Sequence, residues 1–404
     1  MDSPLTFLCI SCYFKGQDFL RACKAAGNTV YLLTRKSLEH QAWPRESIDE
    51  FFFIDSEANT PENLSNIARG LAWLMRNKKV DRIVALDDFD VEKAAFLREE
   101  FRIPGMGQTT ARYFRDKLAM RIRASEAGID VPPFSSLFHD SDINYYTLRT
   151  SPPWVVKPRS EASATGIRKV HSSEALWQAI HSLGDERHHF LVEQFKPGDV
   201  YHVDAITAGG KVQFCRTSKY LSTPLEVAHG GGIFRSHTIE FGSEEDKALQ
   251  QLNAQVMKAF GMQFSASHTE FIRSKEDGKF YFLETSSRVG GAHLAEMVEF
   301  SSGINLWGEW ARLENAIARG AAYQAPMPEK LYTGIIVSLS RFQHPDNSGF
   351  TDPEIVWRLQ KDYHIGMIVR SERRERVLEL LEEYAGRIQK DFHASAPAPK
   401  KPMD

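Results

Sequence analysis

The sequence predicts a mixed α/β and α+β architecture: an N-terminal βαβ domain with a parallel sheet, then a small lobe and a larger lobe with an antiparallel sheet. Three observations predict it. Over about the first hundred residues short apolar runs alternate with amphipathic stretches, the βαβ pattern. From Trp154 to Ala208 strand-like runs dominate, ending in a Gly209-Gly210 turn. Ser265 to Ile272 and Lys279 to Thr285 then flank Lys275-Glu276-Asp277-Gly278, where Gly278 supplies the left-handed position that a short hairpin loop needs.

In chain order, Leu5 to Ser11, Thr29 to Thr34, Phe51 to Ile54 and Arg82 to Leu86 read as strands. Gln17 to Ala26 and Glu62 to Asn77 carry apolar residues at helical spacing, with Gly27 placed to stop the first. The turn Ser11-Cys12-Tyr13-Phe14-Lys15-Gly16 has one glycine and not G-x-G-x-x-G, so the dinucleotide pyrophosphate site is missing. A helix is expected from about Thr109 to Ala127, with Ala111, Phe114, Leu118 and Ile122 on one face and Gly128 past its end. Val131-Pro132-Pro133 forces an extended segment. An amphipathic helix of about Glu244 to Phe260 precedes the hairpin, and another closes the chain over Val377 to Gln389. The expected division is 1–108, a βαβ domain; 109–322, with the small lobe at about 134–193; 323–392, an appended sheet and helix; and 393–404, a disordered tail.

Composition narrows the partners. With 404 residues, 42% hydrophobic, 25% charged and a formal net charge of -3, the chain can bury several cores and has no polycationic face for nucleic acid. A small-molecule partner is expected. The start Met1-Asp2-Ser3-Pro4 lacks a basic leader and no run of about 18 apolar residues occurs, so a cytoplasmic protein without membrane contact is expected. Cys9, Cys12, Cys23 and Cys215 form no disulfide framework, and Cys9-x-x-Cys12 lacks a second pair for zinc. Reduced, partly buried thiols are the better reading.

The chemistry concentrates in a few places. A loop centred on Asp277 sets Glu270 directly opposite Glu284, with Cβ atoms about 4.5–5.5 Å apart, where like charges repel unless something lies between them. A hard divalent cation is one such group; a solvated outward pair is the other reading. After the second glutamate, Arg288 is within reach of a transferring phosphoryl group, and Gly290-Gly291 lets backbone amides approach an anion. Lys157 ends the apolar run Trp154-Val155-Val156-Lys157, and a lysine there wants an anionic partner such as phosphate. Lys117, in Arg115-Asp116-Lys117, reads alone as a solvated helix residue. Ser160, Ser163, Thr165 and Gly166 belong to a run of small and hydroxyl residues that either folds over a phosphate tail or is a plain surface loop. Glu193-Gln194-Phe195 leads from a strand into a Pro197-Gly198 connector, able to face an adenine edge or to be an ordinary strand end. Lys219, His229, Gly231 and His293 either border an acceptor pocket or belong to core and surface.

Taken in order, Arg-Asp-Lys on a helix, Val-Val-Lys-Pro before a small-residue loop, the Val192 to Gly198 hinge, and two hairpin glutamates followed by Arg-x-Gly-Gly-x-His resemble the ATP-grasp superfamily over roughly residues 110–320. The ending looks most like the carboxylate–amine ligases, including the L-amino-acid ligase and carnosine-synthase-like branches. The resemblance implies the ATP-grasp fold, ATP with Mg2+ or Mn2+, and a carboxylate and an amine, amino acids among them, joined through an acyl phosphate. It leaves a homodimer open. It also implies that Lys117 and Lys157 hold phosphates, Ser160 to Gly166 cover them, and Glu193 to Phe195 line the adenine. Glu270 and Glu284 would ligate the metal, and Arg288 would stabilise the acyl phosphate. Two positions depart from the family: Ser286 stands where Asn is common beside the metal, and Asp199 is the acid nearest the usual ribose glutamate. A biotin-carboxylase-like enzyme, a purine-pathway ligase and a non-catalytic ATP-binding module are the alternatives.

Overall fold

The structure, a computed structural model, describes residues 3–161 and 165–395, the side chains of Ala228 and His229 excepted. The N-terminal domain runs β1 (Thr6–Ile10), α1 (Gln17–Ala25), β2 (Thr29–Arg35), β3 (Glu50–Ile54), α2 (Pro61–Leu74), β4 (Arg82–Ala85) and α3 (Val91–Glu100). Its four strands are parallel in the order β3-β2-β1-β4, as continuous apolar runs buried on both faces require. The lone Gly16 in the first turn has φ 85° and lies so near β4 that a Cβ there would stand 2.6 Å from Leu86 Cδ1. That glycine therefore serves a close backbone approach, and the turn holds no dinucleotide fingerprint. The polar turn Asp87-Asp88-Phe89-Asp90 leaves the carboxyl end of β4, the end at which such sheets place functional groups.

The single helix expected over Thr109 to Ala127 is two helices, α4 (Gln108–Arg112) and α5 (Lys117–Glu126). Apolar periodicity runs through both, but Asp116 caps the second, its carboxylate accepting from the amides of Leu118 at 2.9 Å and Ala119 at 3.3 Å. Ile122, assigned to the apolar face, is consequently 45% exposed. The break frees Arg115 and Lys117 from a continuous helix surface, and the Lys117 amide donates instead to Arg159 O at 2.8 Å.

The small lobe contains β5 (Phe134–Ser136), α6 (Asp140–Arg149), β6 (Trp154–Pro158), β7 (Arg168–Val170), α7 (Ser173–Leu183) and β8 (Phe190–Gln194). Its antiparallel sheet, β5-β8-β6-β7, buries Trp154, Val156 and Val192 against Ile143, Leu176 and Ile180 of the helices. The larger lobe contains β9 (Gly198–Ala208), β10 (Lys211–Tyr220), α8 (Pro224–Gly230), β11 (Phe234–Thr238), α9 (Glu244–Ala259), β12 (Phe264–Ser274) and β13 (Phe280–Ser286). It continues with α10 (Leu294–Ser302), α11 (Leu306–Ala318), β14 (Tyr332–Leu339), β15 (Ile355–Arg358), β16 (His364–Ser371) and α12 (Arg374–Asp391).

The C-terminal strands make no separate appended sheet. They extend an eight-stranded sheet, β13-β12-β9-β10-β11-β14-β16-β15, because β11 pairs with β14 and hides what would otherwise be an exposed edge. Helix α12 closes over this extension so tightly that a Cβ on Gly334 would lie 2.6 Å from Leu381 Cδ1 and 2.7 Å from Val377 Cγ1. The tail expected to be disordered from residue 393 begins as an ordered stretch. His393 Nδ1 lies 2.8 Å from Ser338 Oγ and the Ala394 amide donates to Leu339 O at 3.1 Å, while residues 396–404 lie outside the described residues.

All four cysteines are free thiols; Cys9, Cys12 and Cys23 are buried and Cys215 is half-buried. Among the described residues no helix is long and apolar enough to cross a membrane.

Candidate active site

The hairpin of β12 and β13 sets Glu270 opposite Glu284, as its sequence requires, by a route the sequence did not reveal. Below the pair the register is Phe271 opposite Phe282, so Leu283 is the extra residue of a β-bulge that advances Glu284 into line with Glu270. The Leu283 carbonyl accepts from the fully buried Arg121. Glu284 Oε2 meets Lys117 Nζ at 2.9 Å, and Glu270 Oε1 accepts from Tyr220 Oη at 2.9 Å with His268 Nε2 3.6 Å away. Glu270 Oε2 and Glu284 Oε1 take no hydrogen bond from the described residues. Burial works to raise the Glu284 carboxyl, but Lys117 beside it holds it below the ordinary range.

Two cavities meet at this pair. The first, of about 380 Å³, lies between the small lobe and the large sheet and is lined by Lys157, Glu193, Gln194, Phe195, Thr165 and Ile272 among others. The second, of about 300 Å³, faces the N-terminal domain and is lined by Asp88, Arg115, Arg288, Ser286 and Gly291 together with apolar side chains. Lys117, Glu161, Pro224, Glu270 and Glu284 line both. A group held by the glutamate pair would thus touch the contents of each cavity.

Lys157 does find an anionic partner, inside the protein. Its ammonium pairs with Glu193 Oε1, and Arg121 Nε donates to Glu193 Oε2 at 2.9 Å, all three residues being buried. Burial brings Lys157 down to about 8, against the pull of Glu193. Both oxygens of Glu193 are engaged, so this side chain is a countercharge, and Gln194 and Phe195 beside it line the cavity. On the other side the Arg288 guanidinium pairs with Asp88, which arrives from the turn after β4. Although burial opposes it, Arg288 followed by Arg115 keeps the Asp88 carboxyl at about 2.

Behind Glu270 lies a buried chain of polar groups. Asp204 bonds His202 Nδ1 at 2.7 Å and His268 Nδ1 at 2.8 Å, and His202 Nε2 reaches Ser236 Oγ at 2.8 Å. Desolvation disfavours a charged His268, yet Asp204 raises it to about 10. The three groups satisfy one another, which fits a positioning network better than a second metal centre. Gly290 is packed onto it: a Cβ would stand 2.7 Å from Asp204 Oδ1.

Several anticipated residues lie elsewhere. Lys219 pairs with Asp199 at 2.8 Å over the Tyr201 ring, and neither lines either cavity. His293 sits in the left-handed region at the start of α10 with Nδ1 2.9 Å from Glu296 Oε1 and its ring against Trp357, turned from the site. Gly231 ends α8 against Ser395. Ser160 contributes its carbonyl to Arg115, and Gly166 lies against Pro158, so neither forms cavity wall. Ser163 lies outside the described residues, as does the side chain of His229. Conversely, Asp88, Arg121, Tyr220 and His268 were not anticipated, and Arg115 and Glu161 entered only as members of the Arg115-Asp116-Lys117 and Ser160 to Gly166 runs. Arg121 follows Lys117 by four residues on one helix face, a usable signal. An acidic run after a buried strand was the signal for Asp88.

Residues 150–296 match the family described as the ATP-grasp domain. The chain carries an ATP-grasp domain. Both the hairpin of Glu270 and Glu284 and Lys157 fall within the matched segment. Among proteins similar in sequence are the L-arginine-specific L-amino acid ligase of Bacillus subtilis, 28% identical over 56% of this chain and 56% of that protein, and a D-alanine–D-alanine ligase of Neisseria gonorrhoeae, 21% identical over 46% and 61%. The chain thus spans little more than half the length of these curated relatives. In overall fold it is similar to the L-amino acid ligase of Bacillus licheniformis, with TM-score 0.75 and 16% identity over 97% of this chain and 99% of that one. A biotin carboxylase domain from Hydrogenobacter thermophilus, in complex with MgADP, gives TM-score 0.71 at 16% identity over 98% and 91%. The sheets described above are those of the ATP-grasp fold.

Proposed function

We propose that this chain is a cytoplasmic ligase that uses ATP to activate a carboxylate as an acyl phosphate, joins it to an amine and releases ADP and phosphate. One observation carries the proposal: the Glu270 and Glu284 carboxylates, each with an oxygen that no described donor engages, stand side by side where two cavities meet. Two hard oxygens beside a lysine fit Mg2+ or Mn2+, which favour carboxylates shared with phosphates, and Ser286 is the neighbouring neutral oxygen on the same face of β13. When bound, such a cation supplies positive charge to the phosphoryl oxygens.

In this reading the nucleotide occupies the cavity of Gln194 and Phe195, its phosphates directed at Lys157 and Lys117. Thr165 flanks them. The carboxylate and amine occupy the cavity of Arg288 and Gly291. A carboxylate oxygen attacks the γ-phosphorus, the bond to the β-phosphate oxygen breaks, and ADP leaves. The amine then attacks the acyl carbon, phosphate departs, and the amine loses a proton. Arg288, held in place by Asp88, balances charge that develops on the acyl phosphate and on the tetrahedral centre. Because no covalent enzyme intermediate is needed, positioning and electrostatics supply the rate. The relatives' names point to amino acids as the class of substrate.

The test is ADP release over a panel of carboxylate and amine pairs. Glu284→Ala and Arg288→Ala are expected to abolish substrate-dependent release while thermal unfolding stays cooperative. Release persisting in both variants would sink the reading.

A further inference from the structure

The two cavities differ in how their cations are paired, and one cation has no carboxylate in direct contact. Lys117 has Glu284, Lys157 has Glu193, and Lys196 has Glu276 at 2.9 Å. Lys275 has Asp199 at 3.8 Å, Arg288 has Asp88, and His268 has Asp204. Arg115 alone among the described basic side chains lining these cavities has no carboxylate within ion-pair distance. It is only 6% exposed. Its contacts are one carbonyl, Ser160 O, and the Phe89 ring, whose centroid lies 4.2 Å from the guanidinium carbon. Its Nε is buried with no hydrogen-bond partner. Beyond direct contact it feels the Asp88 carboxylate, and a buried guanidinium in that condition has donors free for an anionic ligand.

The position of Arg115 says which anion. It lines the cavity facing the N-terminal domain and not the nucleotide cavity, so the phosphate tail is already served by Lys117 and Lys157. Arg288 is engaged at the reacting carboxylate. Two other side chains of the same cavity each have an unmet buried atom, Arg288 Nε and Asp88 Oδ1, and the carboxylate oxygen suits an ammonium. The Phe89 ring lies against the Arg115 guanidinium, a planar group able to grip a carboxylate with two prongs.

We propose that Arg115 is a specificity-determining residue that binds a second carboxylate on the substrate, so that the cavity selects an acidic amino acid over its neutral amide. This rests on the ligase reading for the place of the substrate. The experiment compares aspartate with asparagine and glutamate with glutamine, both as partners in the ADP-release assay and by calorimetric binding to the intact chain with Mg2+ and a non-hydrolysable ATP analogue. The acids are expected to bind about ten-fold tighter or better than the amides, the size of a charge-assisted bond. Arg115→Gln should bring the ratio to within about two-fold with the KM for ATP unchanged, and Arg115→Lys should restore part of it.

Equal binding of acid and amide by the wild-type chain overturns the proposal, whatever the variants do. So does an Arg115→Gln variant that weakens acid and amide alike, the mark of a residue that only tethers Ser160. Should that variant fail to fold, the wild-type ratio decides. Acid-selective binding without ADP release from any pair removes the ligase reading and leaves Arg115 standing; ADP release without acid preference does the reverse.

Discussion

The two cavities that meet at Glu270 and Glu284 are built in opposite ways. On the side proposed for the nucleotide each buried cation has a carboxylate of the protein in direct contact: Lys157 and Arg121 share Glu193, although Arg121 Nη2 is left without a partner. On the N-terminal side Arg115 has no carboxylate in direct contact, and Arg115 Nε and Asp88 Oδ1 are unmet. On the first side buried charges are held in direct ion pairs, so disturbing them should be felt by the fold. The second side is the one proposed for the substrate, so its disturbance should be felt in substrate binding and turnover.

The largest effect that could break this comparison is on stability. Glu193→Ala leaves two buried cations unpaired and is expected to cost about 3–5 kcal/mol, read from urea unfolding. Asp88→Asn, measured alongside, is expected to cost less than that. A larger loss in Asp88→Asn than in Glu193→Ala would reverse the assignment. Next in size is turnover. Asp88→Asn weakens a charge-assisted contact to Arg288 and is expected to lower kcat by about ten- to a hundred-fold, with ATP binding changed less than about two-fold.

The third effect is on pH dependence. Lys157 carries its proton below about 8 and loses it above, so ADP affinity of the wild-type chain should fall as pH rises through that range. Lys157→Arg, with a group that stays charged, should flatten the profile. A flat wild-type profile between pH 7 and 9.5 would show that Lys157 does not meet the phosphates. The smallest effect is at Ser286. Ser286→Asn offers the metal a stronger oxygen and is expected to lower the Mg2+ concentration for half-maximal activity by about two- to five-fold.

What the sequence made legible follows the same division. The hairpin glutamates, Lys157 and the hinge lie in contiguous stretches, where strand alternation and one turn glycine suffice to place them. Even there Leu283 escaped notice, because a bulge leaves the apolar alternation readable on either side of it. Asp88, Arg115 and Arg288 come from three separate segments, and nothing periodic in any of them announces the other two. The break at Asp116 was hidden for a related reason: periodicity spans both α4 and α5, and only the capping carboxylate separates them. The β11 and β14 pairing, which merges the C-terminal strands into the large sheet, depends on edge complementarity across about a hundred residues of chain. His293 misled because its neighbours Gly290 and Gly291 do belong near the site, whereas a left-handed backbone at His293 turns its own ring toward Trp357.

The central claim is that Glu270 and Glu284 together seat a metal ion beside the nucleotide, and it is tested most directly by titrating Mn2+ into the chain with ADP present, followed by electron paramagnetic resonance. The wild-type chain should bind Mn2+ tightly and in an ADP-dependent manner. The double variant Glu270→Gln, Glu284→Gln, verified as folded, should lose that binding by two orders of magnitude or about that. Undiminished ADP-dependent Mn2+ binding in the folded double variant would contradict the account.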